Sequence, residues 1–304
     1  MKLERKRVIA LGFFDGVHLG HAALLKTARR AADQLGCSAA VLTFDRHPAS
    51  LISGTAIPLI NTPADRTDLI RRLYGIDEVL FCHFDRSMME MPWKEYVGDY
   101  LRRRQHAVHV VCGHDHRFGW RGEGTPTRLQ QACAQFGMGC DVVQKVAIRG
   151  TTVSSTRIRM LLEAGQLEEA NEFLGHPHCL TGTVVHGRQL GRTLGTPTAN
   201  VLLPEGVLSP AFGVYATSVA VGGRRYAAVT NVGVRPTVNG GDQITVEPWI
   251  LDFDGNLYGK SIRIEFHQFL RPERRFGSLE ELQAAILRNA EETRAFFESV
   301  HHSG

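Results

Sequence analysis

The residues best placed to do chemistry come early in the chain. In "LGFFDGVHLGH" (11–21), Phe13 and Phe14 stand beside Asp15, and His18 and His21 follow three positions apart among glycines. On a helix, side chains at i and i+3 share a face, so both imidazoles can address one point. The run "VIAL" (8–11) just before them reads as a buried strand. Leu24, Leu25, Ala28, Ala32 and Leu35 then recur at helical spacing, with Gly36 as the C-cap. The histidines therefore stand where a strand turns into a helix, and the free N–H groups of a helix start favour an anion. Gly16 and Gly20 let the backbone approach that anion closely. Two imidazole donors suit a polyphosphate that gains charge during displacement at phosphorus. Two surface histidines, or part of a metal site, stay open as readings of these residues, although no carboxylate at helical spacing completes a metal set.

Three further stretches carry candidate chemistry. "VSSTRIR" (153–159) places Ser155 and Thr156 at a helix start with Arg157 and Arg159 close by, which fits either an anion site or plain capping. "HDH" (114–116), with Cys112 nearby, raises zinc, but Gly113 and Gly119 argue against a continuing strand that would align the ligands. "GTVVHGRQLGRTLGTPTAN" (182–200) is rich in glycine, as expected of a loop that wraps a ligand. Its Thr198 and Asn200 are two apart, so in an extended segment both point to one side. A hydroxyl and an amide oxygen there can complete a Mg²⁺ shell that keeps phosphate oxygens and waters, or can simply bond their own turn. Glu247, among apolar neighbours in "EPWILDF", can accept a proton from a hydroxyl.

Two kinds of framework must hold these groups. In the first half, "AAVLTF", "EVLFCHF", "AVHVVCG" and "CDVVQKV" are apolar strands alternating with helical segments such as "WKEYVGDYLRRR" and "TRLQQACAQFG". That alternation predicts an α/β domain with a doubly wound parallel sheet over 1–160. Short helices closed by Gly165 and Gly175 suggest a helical linker over 161–178. From 179 to 304 the texture is antiparallel: "CLTGTVVHG", "GVYATSVAV", "RYAAVTNVG", then "TVEPWILDF" and "LYGKSIRIEFHQFL" flanking the hairpin signal "DGN". These predict a small β-barrel followed by a terminal helix, with a Ser278–Glu281 capping box and an apolar face of Leu279, Leu282, Ile286, Ala290 and Phe297.

Composition narrows the class. The chain has 304 residues, 43% of them hydrophobic, with 35 Lys and Arg against 31 Asp and Glu. No basic tract or aromatic platform points to nucleic acid, and no apolar run points to a membrane. The six cysteines have no framework spacing, so reduced thiols and a cytoplasmic location are expected. The partners expected are small molecules, with a weak homo-oligomer left open.

"GFFDGVHLGH" resembles the signature of the H-x-G-H nucleotidyltransferases, and "FDRHP", "FDRSMMEMPWKEYV", "CGHDHRFG" and "VSSTRIR" follow in order. With "GRTLGTPTAN", "NVGVRPT" and "LDFDGNLYGK", the whole chain is similar to the bacterial bifunctional riboflavin kinase/FAD synthetases. The resemblance implies FMN formation from riboflavin and ATP in the barrel, and FAD formation from FMN and ATP in the α/β domain. It places ATP phosphates at His18, His21, Gly16, Gly20, Ser155, Thr156 and Arg159, and the flavin or nucleotide side at Phe14, Asp15 and Asp115. In the barrel it implies Glu247 as catalytic base, Thr198 and Asn200 on Mg²⁺ and ATP, and a flap at 187–193 that includes Gly187 and Arg192. His114 and His116 stand where the family usually carries an acid and an aromatic, Thr152 where it has a cation, Thr196 where an aromatic and Asn289 where an Asp is common. A riboflavin kinase whose first domain only binds flavin or nucleotide is the alternative expectation.

Overall fold

The computed structural model describes residues 5–186, 195–236 and 242–302. Gly187, Arg192 and the rest of the expected flap therefore lie outside the described residues. The chain divides into two compact units, Met1–Leu59 with Pro63–Ser155, and Ile60–Thr62 with Thr156–Gly304.

The first unit is a parallel sheet. Its strands are β1 (Arg7–Leu11), β2 (Ser38–Phe44), β3 (Glu78–Cys82), β4 (Ala107–Gly113) and β5 (Gly139–Val143), in the order β3-β2-β1-β4-β5. Val8, Ile9 and Ala10 of β1 and Ala39, Ala40 and Val41 of β2 have no exposed surface, which is why neither strand alternates. The helices α1 (Leu19–Leu35), α2 (Pro48–Ser53) and α3 (Pro63–Tyr74) fall between β1 and β3. Next come α4 (Arg86–Glu90), α5 (Trp93–Glu95), which runs into a π-helical stretch Tyr96–Arg104, and α6 (Pro126–Gln135). On α1 the predicted face is buried except Leu35, which is exposed just before the Gly36 cap. The chain lays β2 and β3 on one side of β1, then β4 and β5 on the other. The order thus reverses between β1 and β4, and ligands collect at the carboxyl ends of such strands.

From Thr156 on, the second unit holds the rest of α7 (Ser155–Glu163) and α8 (Leu167–Leu174) and continues into the strands β8 (His178–Val185), β9 (Asn200–Leu202) and β10 (Gly213–Val221). Two short strands, β6 (Ala147–Ile148) and β7 (Thr151–Thr152), precede α7 in the first unit. With β11 (Arg224–Pro236), β12 (Asp242–Ile250) and β13 (Ser261–Pro272) the larger strands close a barrel in the order β10-β11-β12-β9-β8-β13. Every pairing in it is antiparallel. The last helix is α9 (Leu279–His302).

Three expectations need correction. "DGN" does not make a hairpin: β12 and β13 are not neighbours, and the chain after the turn pairs with β8 through Gly259 N–H to Val184 O (2.9 Å) and Val184 N–H to Lys260 O (2.9 Å). The turn closes on itself instead, with the Asn256 side chain accepting from Tyr258 N–H at 3.0 Å. In the segment 161–178, α8 buries Ala170, Phe173 and Leu174 and is pinned by Asn171, which donates to Phe266 O (2.8 Å) and accepts from His178 N–H (2.7 Å). Ser155 is the first residue of α7 rather than its cap. Leu279 is 66% exposed and takes no part in the apolar face of α9. The capping box there is formed by Glu281 N–H to Ser278 Oγ (3.2 Å), with the Glu281 carboxylate reaching back to Gly277 N–H (2.9 Å).

Candidate active sites

The loop after β1 is held in an unusual shape. Phe14, Gly16 and Val17 have positive φ of 58°, 79° and 47°. Gly16 takes such a φ at little cost, whereas Val17, being β-branched, is a true outlier. His18 then caps α1: its Nδ1 accepts from His21 N–H at 3.3 Å. An accepting Nδ1 places the proton of the neutral ring on Nε2, which leaves that nitrogen as the donor. The two imidazoles lie stacked, centroids 3.6 Å apart and 13° from parallel. A Cβ on Gly20 would come within 3.0 Å of the His18 ring, which explains the glycine between the histidines. His21 is held well towards its neutral form by burial first, then by His18 and by Arg66. Its Nδ1 is buried without a hydrogen-bond partner among the described residues.

Ser155 joins this loop, its hydroxyl donating to Asp15 O at 2.9 Å. Thr156 and Arg159 continue the same helix beyond the point where the chain passes into the second unit. Phe14 and Asp15, within the loop itself, are buried, at 0% and 1% exposure. Asp115 is exposed on the loop after β4.

Beside the loop lies a cavity of about 570 Å³. It collects the carboxyl ends of four strands: Leu11 and Gly12 after β1, Phe44 at β2, Phe84 after β3, and His116 and Phe118 after β4. These aromatics were not singled out by the sequence reading, since each is an ordinary apolar residue until the strand order brings the ends together. His116, where the family usually has an aromatic, behaves as one. It stacks on Phe118 with centroids 5.6 Å apart, and burial lowers its pKa to about 4.

The barrel holds two cavities, of about 700 and 590 Å³. The first is lined by Glu247, Asn231, Trp249, Arg271 and Asn289, among others; the second by Asp254, Asn256 and Tyr258 among others. Thr198 lines both. It is held by a bridge to Trp249, next to Ala199 N–H donating to Pro248 O at 2.9 Å. Glu247 accepts from Thr245 Oγ1 at 3.0 Å and lies directly across β11 and β12 from Asn231. Asn231 in turn donates to Glu273 at 3.2 Å. Asn200 is nearly buried and paired with Val185. Thr196 is buried, and Asn289 accepts from Arg271 Nε at 3.0 Å. Asn231, Arg271 and Glu273 were missed in the sequence because only strand register reveals their closeness to Glu247. Among the described residues no cluster of His, Cys, Asp and Glu could hold a metal, and no helix is long and apolar enough to cross a membrane.

The comparisons agree with this division. The FAD synthetase family model matches residues 1–157 and the riboflavin kinase model residues 174–297. Bifunctional riboflavin kinase/FMN adenylyltransferases from Listeria monocytogenes, Bacillus subtilis and Escherichia coli K12 are 38%, 34% and 37% identical to the chain. They align over 96%, 98% and 95% of it and over 92%, 94% and 92% of their own lengths. A crystal structure of a Streptococcus pneumoniae protein described as a macrolide-efflux protein has the same fold, with a TM-score of 0.84 and 30% identity over 95% of this chain and 94% of that one. The chain belongs to the family of bifunctional riboflavin kinase/FMN adenylyltransferases.

Proposed function

We propose that the barrel phosphorylates riboflavin to FMN and that the α/β unit then joins FMN to the AMP part of a second ATP. The observation that supports this reading is that the two units hold different arrangements: a carboxylate and a threonine lining one cavity in the barrel, stacked imidazoles at a helix start in the other.

In the barrel, riboflavin takes the cavity with Glu247 and Trp249, and ATP takes the neighbouring one. Thr198 stands where the two meet, so the γ-phosphoryl passes at its hydroxyl. Glu247 removes the proton of the ribityl 5′-hydroxyl as its oxygen attacks the γ-phosphorus and ADP leaves. Positioning supplies most of the acceleration in such a transfer. Thr198 and Asn200 fit Mg²⁺ that arrives with ATP, because two neutral oxygen ligands leave most of a six-oxygen shell to phosphate and water. When bound, the ion offsets the charge of the phosphates. Gly187 and Arg192 belong to the loop proposed to cover ATP.

In the α/β unit, the flavin ring takes the aromatic cavity with Phe44, Phe84, His116 and Phe118. Asp115, and Asp15 within the loop, are placed on this side by their positions in the motifs. The FMN phosphate is already ionised, so its oxygen attacks the α-phosphorus without a base and pyrophosphate leaves. His18 and His21 stabilise the charge that builds on the phosphates. Gly16, Gly20 and Ser155 shape the loop for them, and Thr156 and Arg159 carry the phosphate role by their position in the motif. We place the enzyme in the cytoplasm, where free riboflavin and ATP meet.

Chromatography of products from the purified chain with riboflavin and MgATP tests this. FMN should appear first, then FAD with an equal amount of pyrophosphate. FMN without FAD would reduce the first unit to a binding domain, and neither product would overturn the reading.

A further inference from the structure

Arg66 lies on α3, outside every motif that points to the site, yet it reaches the signature loop. It heads the fully buried side chains by size. Its Nη1 donates to Phe13 O (3.0 Å), Thr43 Oγ1 (3.0 Å) and Phe44 O (3.1 Å), and the guanidinium lies 4.4 Å from the centre of the Phe13 ring. Thr43 Oγ1 also donates to Phe13 O, at 2.7 Å. One side chain thus ties the loop after β1 to the end of β2.

Two features exceed what a structural tie needs. Nε and Nη2 are buried with no hydrogen-bond partner among the described residues, although a guanidinium has five donors to satisfy. The charge is also poorly offset: desolvation of Arg66 outweighs the attraction of Asp15. A buried cation left in that state raises the local potential and favours an incoming anion. The groups acting on His21 are His18 in the stack and Arg66, with the Phe14 ring against His21 at 5.1 Å. Asp15 acts on the guanidinium, and His47 lies against Phe13 at 4.7 Å. Rings stacked at 3.6 Å cannot both take a proton without strong repulsion, so the pair is a poor source of charge for a polyphosphate.

We propose that Arg66 is a positioning residue for adenylyl transfer: it clamps the signature loop through the Phe13 carbonyl and supplies a permanent positive charge that is felt at His21. The polyphosphate then meets neutral imidazole donors and a fixed charge. This rests on the adenylyl-transfer reading given above. The clamp also accounts for the strain at Val17, which persists only where the surroundings over-determine the loop.

The test uses the full chain, Arg66→Met and Arg66→Lys, with kcat and KM for MgATP measured for FAD formation from FMN. Riboflavin phosphorylation in the same samples reports whether the barrel is intact. Arg66→Met should raise KM for MgATP about tenfold. Arg66→Lys keeps a charge but not the three-way clamp, so its KM should stay near the wild-type value while kcat falls. A wild-type KM in Arg66→Met, or a KM in Arg66→Lys raised as far as in Arg66→Met, would overturn the proposal. If Arg66→Met does not fold, a KM raised about tenfold in Arg66→Lys would overturn it as well. Failure of the wild-type chain to make FAD would sink the adenylyl-transfer reading itself, and this proposal with it.

Discussion

The two units solve phosphate chemistry with different materials. In the α/β unit the groups sit on a loop with left-handed residues at Phe14, Gly16 and Val17, tied through the Phe13 carbonyl to a buried arginine. In the barrel the groups sit on regular strands, and a carboxylate, Glu247, faces an open cavity. The difference follows from the attacking group. A phosphate oxygen is already charged and needs only a place for charge to build, whereas a hydroxyl must lose a proton. Preorganised donors require a rigid and even strained loop. A base requires only the right register between two strands.

Substitutions can break this comparison one side at a time. The largest effect is expected for Glu247→Gln, which removes the proposed base: the rate of FMN formation from riboflavin should fall on the order of 10²–10⁴-fold, while FAD formation from supplied FMN is unchanged. His18→Ala should do the reverse. It removes a cap and a donor together, and FAD formation should fall on the order of 10²–10³-fold with riboflavin phosphorylation intact. Gly20→Ala sharpens the point, because its Cβ presses on the His18 ring at 3.0 Å. About a tenfold loss of FAD formation, with a nearly normal unfolding midpoint, is the expected result there.

The smallest effect on turnover, but a visible one on stability, concerns His178 on β8. Both its ring nitrogens are buried without hydrogen-bond partners among the described residues, and burial, then His176, lowers its pKa to about 3. The unfolded chain binds the proton near pH 6.5, and the folded barrel does not until about pH 3. Stability is therefore fully present above the unfolded value and is lost as pH falls between the two, by about 1.4 kcal/mol per unit. Denaturant unfolding of the barrel between about pH 7 and pH 5 should show this slope, and His178→Phe, which keeps a ring beside Phe266, should flatten it.

Much of the first site was legible because it is local. His18, His21, Gly16 and Gly20 fall within six positions, and a strand-to-helix turn places them without knowledge of the rest of the fold. Ser155 was legible as a motif, but not its bond to the Asp15 carbonyl. Arg66 and the aromatic cavity were not legible, since they depend on where four strands end. In the barrel, Thr198 and Glu247 could be named in advance, but not that Thr198 borders two cavities. The misread "DGN" turn has the same cause. Its residues do specify a turn, but which strand the chain meets next is set by barrel closure and not by the turn.

The central claim, that the two reactions depend on different groups, is tested most directly by product analysis of Glu247→Gln and His18→Ala. Each is given either riboflavin or FMN with MgATP. Glu247→Gln should yield FAD from FMN and next to nothing from riboflavin, whereas His18→Ala should accumulate FMN from riboflavin and leave supplied FMN almost untouched. FAD made readily from riboflavin by Glu247→Gln, or loss of both products in His18→Ala from chain that is still folded, would contradict it.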